Sequence, residues 1–203
     1  MVTDKMIRVS AAALAKIEFD NIFLLSINKD RKEAGNIKYT PFGGVLSYEF
    51  SIRNFLLDLG AQFERPETHD LRLSLPECNL DKFKEWFYTK SQRETSPFRE
   101  LYEEFVEEEK VFPRLFKSDV VMDYLRTAEE REVTDKPGQE GKLTQRYLEI
   151  YGVKFSPDYE LIIKNNIKNP ESRLVLVTAQ EIVNLKSNLG IRIGSNSVHL
   201  LCS

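Results

Sequence analysis

Between Glu100 and Glu109 the sequence "ELYEEFVEEE" carries six glutamates. Like charges three or four residues apart on a helix repel one another, and an ordinary solvated helix relieves such crowding with lysines at the next turn. Here they are largely missing. With 3.6 residues per turn, Glu100, Glu104 and Glu108 share one stripe, with Glu103 and Glu107 beside it, so five carboxylates can converge on one side. Hard divalent cations such as Mg²⁺ take oxygen ligands. A carboxylate cluster shared between a metal and a substrate phosphate turns repulsion into charge balance. A second reading stays open: Glu107, Glu108 and Glu109 form a solvated helix end, paired with lysines elsewhere. Charge alone favours this plainer reading.

The elements around this stretch must position it. Ser96 and Pro97 read as a capping serine and a first-turn proline, Leu101 and Phe105 as the apolar stripe that anchors the helix on a sheet, and Pro113 as its limit. Upstream, "IRVSAAALAKIEFDNIFLLSIN" reads as two strands around a turn at Asp20 and Asn21. A polar loop "KDRKEAGN" follows, and "IKYTPFGGVLSYEF" is a short strand that meets Pro41 and the paired glycines Gly43 and Gly44. Such a pair permits close approach of a ligand or of another chain segment, though most pairs only make turns. "IRNFLLDLG" reads as a helix ending at Gly60 and "AQFERPETHDLRLSLPE" as an edge strand broken by Pro66. "NLDKFKEWFYTK" reads as a helix capped by Asn79 with Phe83, Trp86 and Phe87 in the core. "SDVVMDYLRTAEEREVT" fits strand or helix, and "DKPGQEGK" is a turn. "LTQRYLEIYGVKF", "YELIIKNN" and "SRLVLV" read as strands, followed by a helix from the cap Thr178 to the stop at Gly190. The irregular mixture predicts an α+β class.

At 203 residues, with 41% hydrophobic and 30% charged residues, the chain supports one buried core. The expectation is a single domain over 1–203 with an insertion at about 50–95. A net charge of −3 argues against a coat for long nucleic acid. Cys78 and Cys202 have neither disulfide-framework nor zinc spacing. No apolar run reaches membrane-spanning length and no secretory signal is legible, so a cytoplasmic protein is expected. His69 and His199 are each isolated from any carboxylate or nucleophile pattern.

"RELYEE", Arg99 to Glu104, resembles the second half of the Nudix hydrolase box, in which arginine and glutamate precede two further glutamates. "YTPFGGVL" resembles the strand end that brings the family's glycine pair to that helix, and "RLVLVTAQEIVNL" its closing strand and helix. In the usual box the two halves nearly adjoin, whereas Gly44 and Arg99 lie more than fifty residues apart. The usual first glutamate falls on Phe50, with Glu49 out of register and Glu94 as the nearest helix-side counterpart; the usual closing glycine falls on Val106. An insertion with "HDLRLSLPE" and "FKEWF", together with the tail "GIRIGSNSVHLL", resembles the divergent SMODS-associated Nudix branch of bacterial nucleotide-signalling and antiphage systems.

That resemblance implies an α/β/α sandwich of the Nudix kind. It implies metal-dependent hydrolysis of a phosphoanhydride in a nucleoside diphosphate derivative or nucleotide signal. In it, Glu100, Glu103 and Glu104 would hold Mg²⁺ or Mn²⁺, Arg99 would orient them, and Gly43 and Gly44 would shape the pocket floor. Arg72 is a candidate phosphate contact, with an internal bridge to Asp70 as its alternative. Glu181 is either a late-loop base or a helix-capping residue. The alternative function is a sensor that binds a nucleotide messenger without cleaving it. A scaffold whose acidic helix meets a basic protein is a third option. Nudix proteins are often dimers, and the insertion could form such an interface.

Overall fold

The computed structural model describes residues 5–27, 37–134 and 138–201. The expected loop "KDRKEAGN", the first residues of the turn "DKPGQEGK", and Cys202 lie outside the described residues. The architecture is α+β, as expected: nine strands and five short α-helices among the described residues, and no regular β-α alternation. No described helix is long and apolar enough to cross a membrane.

The chain divides into two compact units. One comprises the chain through Ala13, Val45–Thr95 and Thr127–Glu149; the other comprises Leu14–Gly44, Ser96–Arg126 and Ile150 onward. Three long strands contribute to both: β1 (Met6–Phe19), β6 (Val120–Val133) and β7 (Leu143–Phe155). The stretch that fitted strand or helix is therefore strand β6, which pairs with β7, while β7 also pairs with β1.

In the first unit, β1 runs antiparallel to β5 (Arg72–Pro76), with Ile7 opposite Leu75 and Val9 opposite Leu73. All four are buried, because alternate positions of a strand face one side. The anticipated broken strand is two strands, with β4 (Gln62–Phe63) pairing β5 and Pro66 in the loop between them. Helix α1 (Arg53–Asp58) stops before Gly60, whose φ of +79° suits a residue without a side chain. Helix α2 (Leu80–Tyr88) buries Phe83, Trp86 and Phe87, and the buried Tyr147 lies against the rings of Phe83 and Phe87, at 5.9 and 5.0 Å. Asn79 precedes this helix without capping it; its amide donates to the Leu59 carbonyl at 3.1 Å instead.

In the second unit, β1 turns into β2 (Ile22–Ile27) at Asp20 and Asn21, whose φ values of +52° and +64° are those of a tight hairpin turn. β8 (Leu174–Thr178) lies antiparallel along β2, with Leu24 opposite Leu176, and the short β3 (Lys38–Thr40) pairs β2 and, in parallel, β9 (Arg192–Ile193). "YELIIKNN" is not a strand: Pro157–Asn166 forms helix α4. Proline at the first helical position and the acids Asp158 and Glu160 in the first turn start a helix there, which the short run "LII" could not reveal by periodicity. Thr178 caps α5 (Ala179–Val183) as expected, but the helix ends before Leu185, whose φ is +50°, and Gly190 serves a later turn.

Candidate functional site

The acidic stretch begins as helix α3 (Phe98–Tyr102) and continues as a π-helical segment over Glu103–Glu108. Pro97, not Ser96, holds the capping position, and no side chain caps the helix. The wider turn modifies the single α-helical stripe that sequence spacing suggests. Its backbone bonds include Glu109 N–H to the Glu104 carbonyl at 2.9 Å, a five-residue step. Leu101 and Phe105 are fully buried. Phe105 stacks on Phe42 at 4.6 Å and on Phe112 at 5.0 Å and meets Phe155 edge-on. Since Phe42 adjoins Gly43, this aromatic packing fixes the helix against the glycine pair. Burying a phenylalanine is worth about 1.5–3 kcal/mol.

Two carboxylates then meet the two glycines. Gly43 N–H donates to Glu104 Oε2 at 2.9 Å. At Gly44 a methyl group would stand 2.0 Å from Glu100 Oε2, so the Glu100 carboxyl fills the space that any side chain would need. Gly43 has a φ of +118°, a conformation open to glycine alone without strain.

The glutamates divide by partner. Arg99 pairs with Glu100 at 2.8 Å and with Glu103 at 3.1 Å. Glu109 pairs with Arg173, whose Nε lies 2.7 Å from Oε2. Glu107 and Glu108 are exposed, as the plainer reading has them, whereas Glu109, the third residue of that reading, is not solvated. Glu104 has no ion pair among the described residues. Although the residue as a whole is half-buried, its carboxyl group is withdrawn from water. Burial pushes that carboxyl well above the usual carboxylate range, with added repulsion from Glu100, Glu108 and Glu109; only the Gly43 hydrogen bond opposes the shift.

Of the residues selected from sequence, Gly43, Gly44, Arg99, Glu100, Glu103 and Glu104 belong to one unit, with the contacts just described. Arg72 belongs to the other unit, where it lies 3.8 Å from Asp70. Glu94 accepts from the Ser47 backbone at 3.2 Å, and Phe50, at the place of the usual first glutamate, is 69% exposed. Glu181 forms a reciprocal capping box with Thr178, and its second oxygen accepts from Asn188 N–H at 2.7 Å. The His69 ring lies 5.2 Å from that of Tyr48, and the His199 backbone carbonyl accepts from Arg126. Sequence reasoning missed Arg173, because no local signal marks an arginine before a strand as the partner of a distant helix. It also missed the pair Arg93–Glu149, buried in the first unit at 2.7 Å.

Among the described residues no three His, Cys, Asp or Glu side chains already surround a common cation position. The chemistry of these groups nevertheless suits a hard cation: all are oxygen donors, mutually repelling, and Glu104 lacks an ion pair among the described residues. Anionic phosphate alone would add to that repulsion.

The family model for the SMODS-associated NUDIX domain matches residues 6–201, nearly the whole sequence. The chain belongs to that family. Membership of the SMODS-associated NUDIX family suggests a hydrolytic or nucleotide-related function. No curated protein matches the sequence. Among solved structures, the solution structure of the E. coli ORF135 protein aligns over 96% of this chain and 87% of that chain, at 10% identity and a TM-score of 0.37. A likeness that low carries no argument about this NUDIX domain.

Proposed function

We propose that the protein is a metal-dependent hydrolase of a phosphoanhydride bond in a nucleoside diphosphate derivative or nucleotide signal. The observation that supports this reading is the buried Glu104 carboxylate seated on Gly43 N–H among acidic neighbours. A carboxylate kept dry and close to others is costly unless a cation offsets it in the working state. Glu100 and Glu104 are the residues to hold Mg²⁺ or Mn²⁺, with Glu103 joining them if it leaves Arg99. Bound there, the cation would neutralise phosphate oxygens and acidify an attacking water.

The chain's own groups then have separable tasks. Gly43 and Gly44 leave the backbone bare, so that a diphosphate can approach the carboxylates without a side chain intervening. Arg99 holds Glu100 and Glu103 in place and offsets part of their charge. Arg72 is an expected phosphate contact only if substrate draws it from Asp70. A cytoplasmic setting, a role in antiphage signalling and a homodimer belong to the same proposal.

A second reading is a sensor that binds a nucleotide messenger without cleaving it. It is favoured by the absence of a ready three-carboxylate cluster among the described residues and by Phe50 in place of the first glutamate. The test is phosphate or nucleotide release from nucleoside diphosphate sugars, dinucleotides, nucleoside triphosphates and cyclic oligonucleotides. Wild type is compared with Glu104→Gln and Glu103→Gln, with and without Mg²⁺ or Mn²⁺. Metal-dependent release lost in Glu104→Gln supports the hydrolase. Tight binding of one compound with no release from any supports the sensor.

A further inference from the structure

We infer that Arg173 is a positioning residue for the acidic site: its grip on Glu109 holds the π-helical register that lets Glu104 reach Gly43. This rests on the proposed role of Glu104 as a cation-holding carboxylate.

Arg173 is itself fixed. Its backbone carbonyl accepts from Ile27 N–H at 2.9 Å, and strand β8 begins at the next residue. The side chain is largely buried, at 16% exposure, and its partner Glu109 at 9%. Nε and a terminal nitrogen engage both oxygens of Glu109, the two-pronged geometry that a guanidinium supplies and an ammonium does not. The same guanidinium donates at 3.4 Å to the Glu108 carbonyl. A cation there also suits the negative end of the helical dipole.

What Arg173 holds is the end of an uncommon segment. π-helical turns are rare and tend to occur at functional sites, because the extra residue per turn re-aims side chains. Glu109 N–H closes this turn on the carbonyl of Glu104, the same residue whose carboxylate seats on Gly43. Phe105 then accepts at its carbonyl from Val111 and Phe112 N–H, at 2.8 and 3.1 Å. Glu104 is thus tied at its carbonyl to the Arg173-held end and at its carboxylate to the glycine pair. Release of Glu109 frees the turn to contract to α-helical spacing, which rotates Glu104 off Gly43 while Phe105 stays in the core.

The sign of one effect separates positioning from simple charge. Removing a cation beside an acidic cluster should, by electrostatics alone, tighten binding of a divalent cation. Positioning predicts the opposite. The probe is Mn²⁺ itself, with affinity read by electron paramagnetic resonance for wild type, Arg173→Gln and Glu109→Gln, and with Gly43 amide exchange followed in the metal-free proteins. The expected result is Mn²⁺ binding weakened about tenfold in both variants, with Gly43 N–H exchanging about tenfold faster. Removal of the Glu109 charge weakens Mn²⁺ binding by electrostatics alone, so Glu109→Gln tests the link through Gly43 exchange, and does so even if Arg173→Gln does not fold. Tighter Mn²⁺ binding, or unchanged Gly43 exchange in a folded variant, overturns the inference. If wild type binds no Mn²⁺, the metal-site reading fails, and Gly43 exchange alone decides whether Arg173 positions Glu104.

Discussion

Gly43 N–H donates to the carboxylate of Glu104 at 2.9 Å across 61 residues of sequence. This contact ties the acidic segment to the glycine pair, and it seats the Glu104 carboxyl where burial raises its pKa. The crowding of six glutamates therefore has a mixed explanation: Glu100 and Glu104 lie against glycines, Arg99 holds Glu103 as well as Glu100, Arg173 holds Glu109, and Glu107 and Glu108 face solvent.

The raised Glu104 pKa predicts a pH dependence of a definite sign. A carboxyl whose native pKa lies above its unfolded value binds its proton more readily in the folded state. Stability is therefore lost as pH rises from the usual carboxylate range through the raised value. Glu104→Gln keeps an acceptor for Gly43 N–H and removes the charge. In buffer with chelator its melting temperature should exceed that of wild type above neutral pH, with the difference vanishing towards pH 4. Thermal unfolding across pH checks this.

Gly44→Ala should separate site from fold. The φ of Gly44 lies outside the strained positive range, and the three atoms nearest the added methyl all belong to the end of the Glu100 side chain. The variant should unfold within about 1 kcal/mol of wild type while any metal-dependent cleavage falls at least about tenfold. Denaturant unfolding and the cleavage rate measured on one preparation give both numbers.

In the first unit, Arg93 and Glu149 form a fully buried pair. Arg93 also donates to the Phe87 carbonyl from two nitrogens, at 2.9 and 2.8 Å. Glu149→Gln leaves a buried guanidinium without its counter-charge, and the expected loss is about 3–5 kcal/mol, read from urea unfolding.

At α5, burial alone would raise the Glu181 pKa, but hydrogen bonds from Thr178 and Asn188 bring it below the usual value. That contribution is present above about pH 4.5, the ordinary value, and fades as pH falls through the lower native one. Thr178→Ala should cost about 1 kcal/mol at neutral pH, and less in acid, where Glu181 is protonated and its half of the box weakens. The same unfolding series at two pH values decides it.

Much of this was legible in the sequence, for reasons that differ by element. The turn at Asp20–Asn21 and the capping box at Thr178 and Glu181 show because their chemistry is local. The aromatic face of α2 shows because one helix repeats it. Helix α4 did not, since its apolar run is too short to distinguish periods and Pro157 carried the decisive information. Within the candidate site, residue types and the glycine pair could be read. The π turn could not, because its register depends on tertiary ties such as Arg173–Glu109 between residues 64 apart. No pattern within the acidic stretch announces that Glu104, rather than its neighbours, is the one that meets Gly43 N–H.

The most direct measurement is thermal unfolding of wild type and Glu104→Gln over increasing Mg²⁺ and Mn²⁺. If Glu104 anchors a cation site, the wild-type melting temperature rises steadily with the logarithm of metal concentration above the dissociation constant, by mass action on the native state, and that of Glu104→Gln does not. An equal rise in both, or none in wild type, contradicts the account.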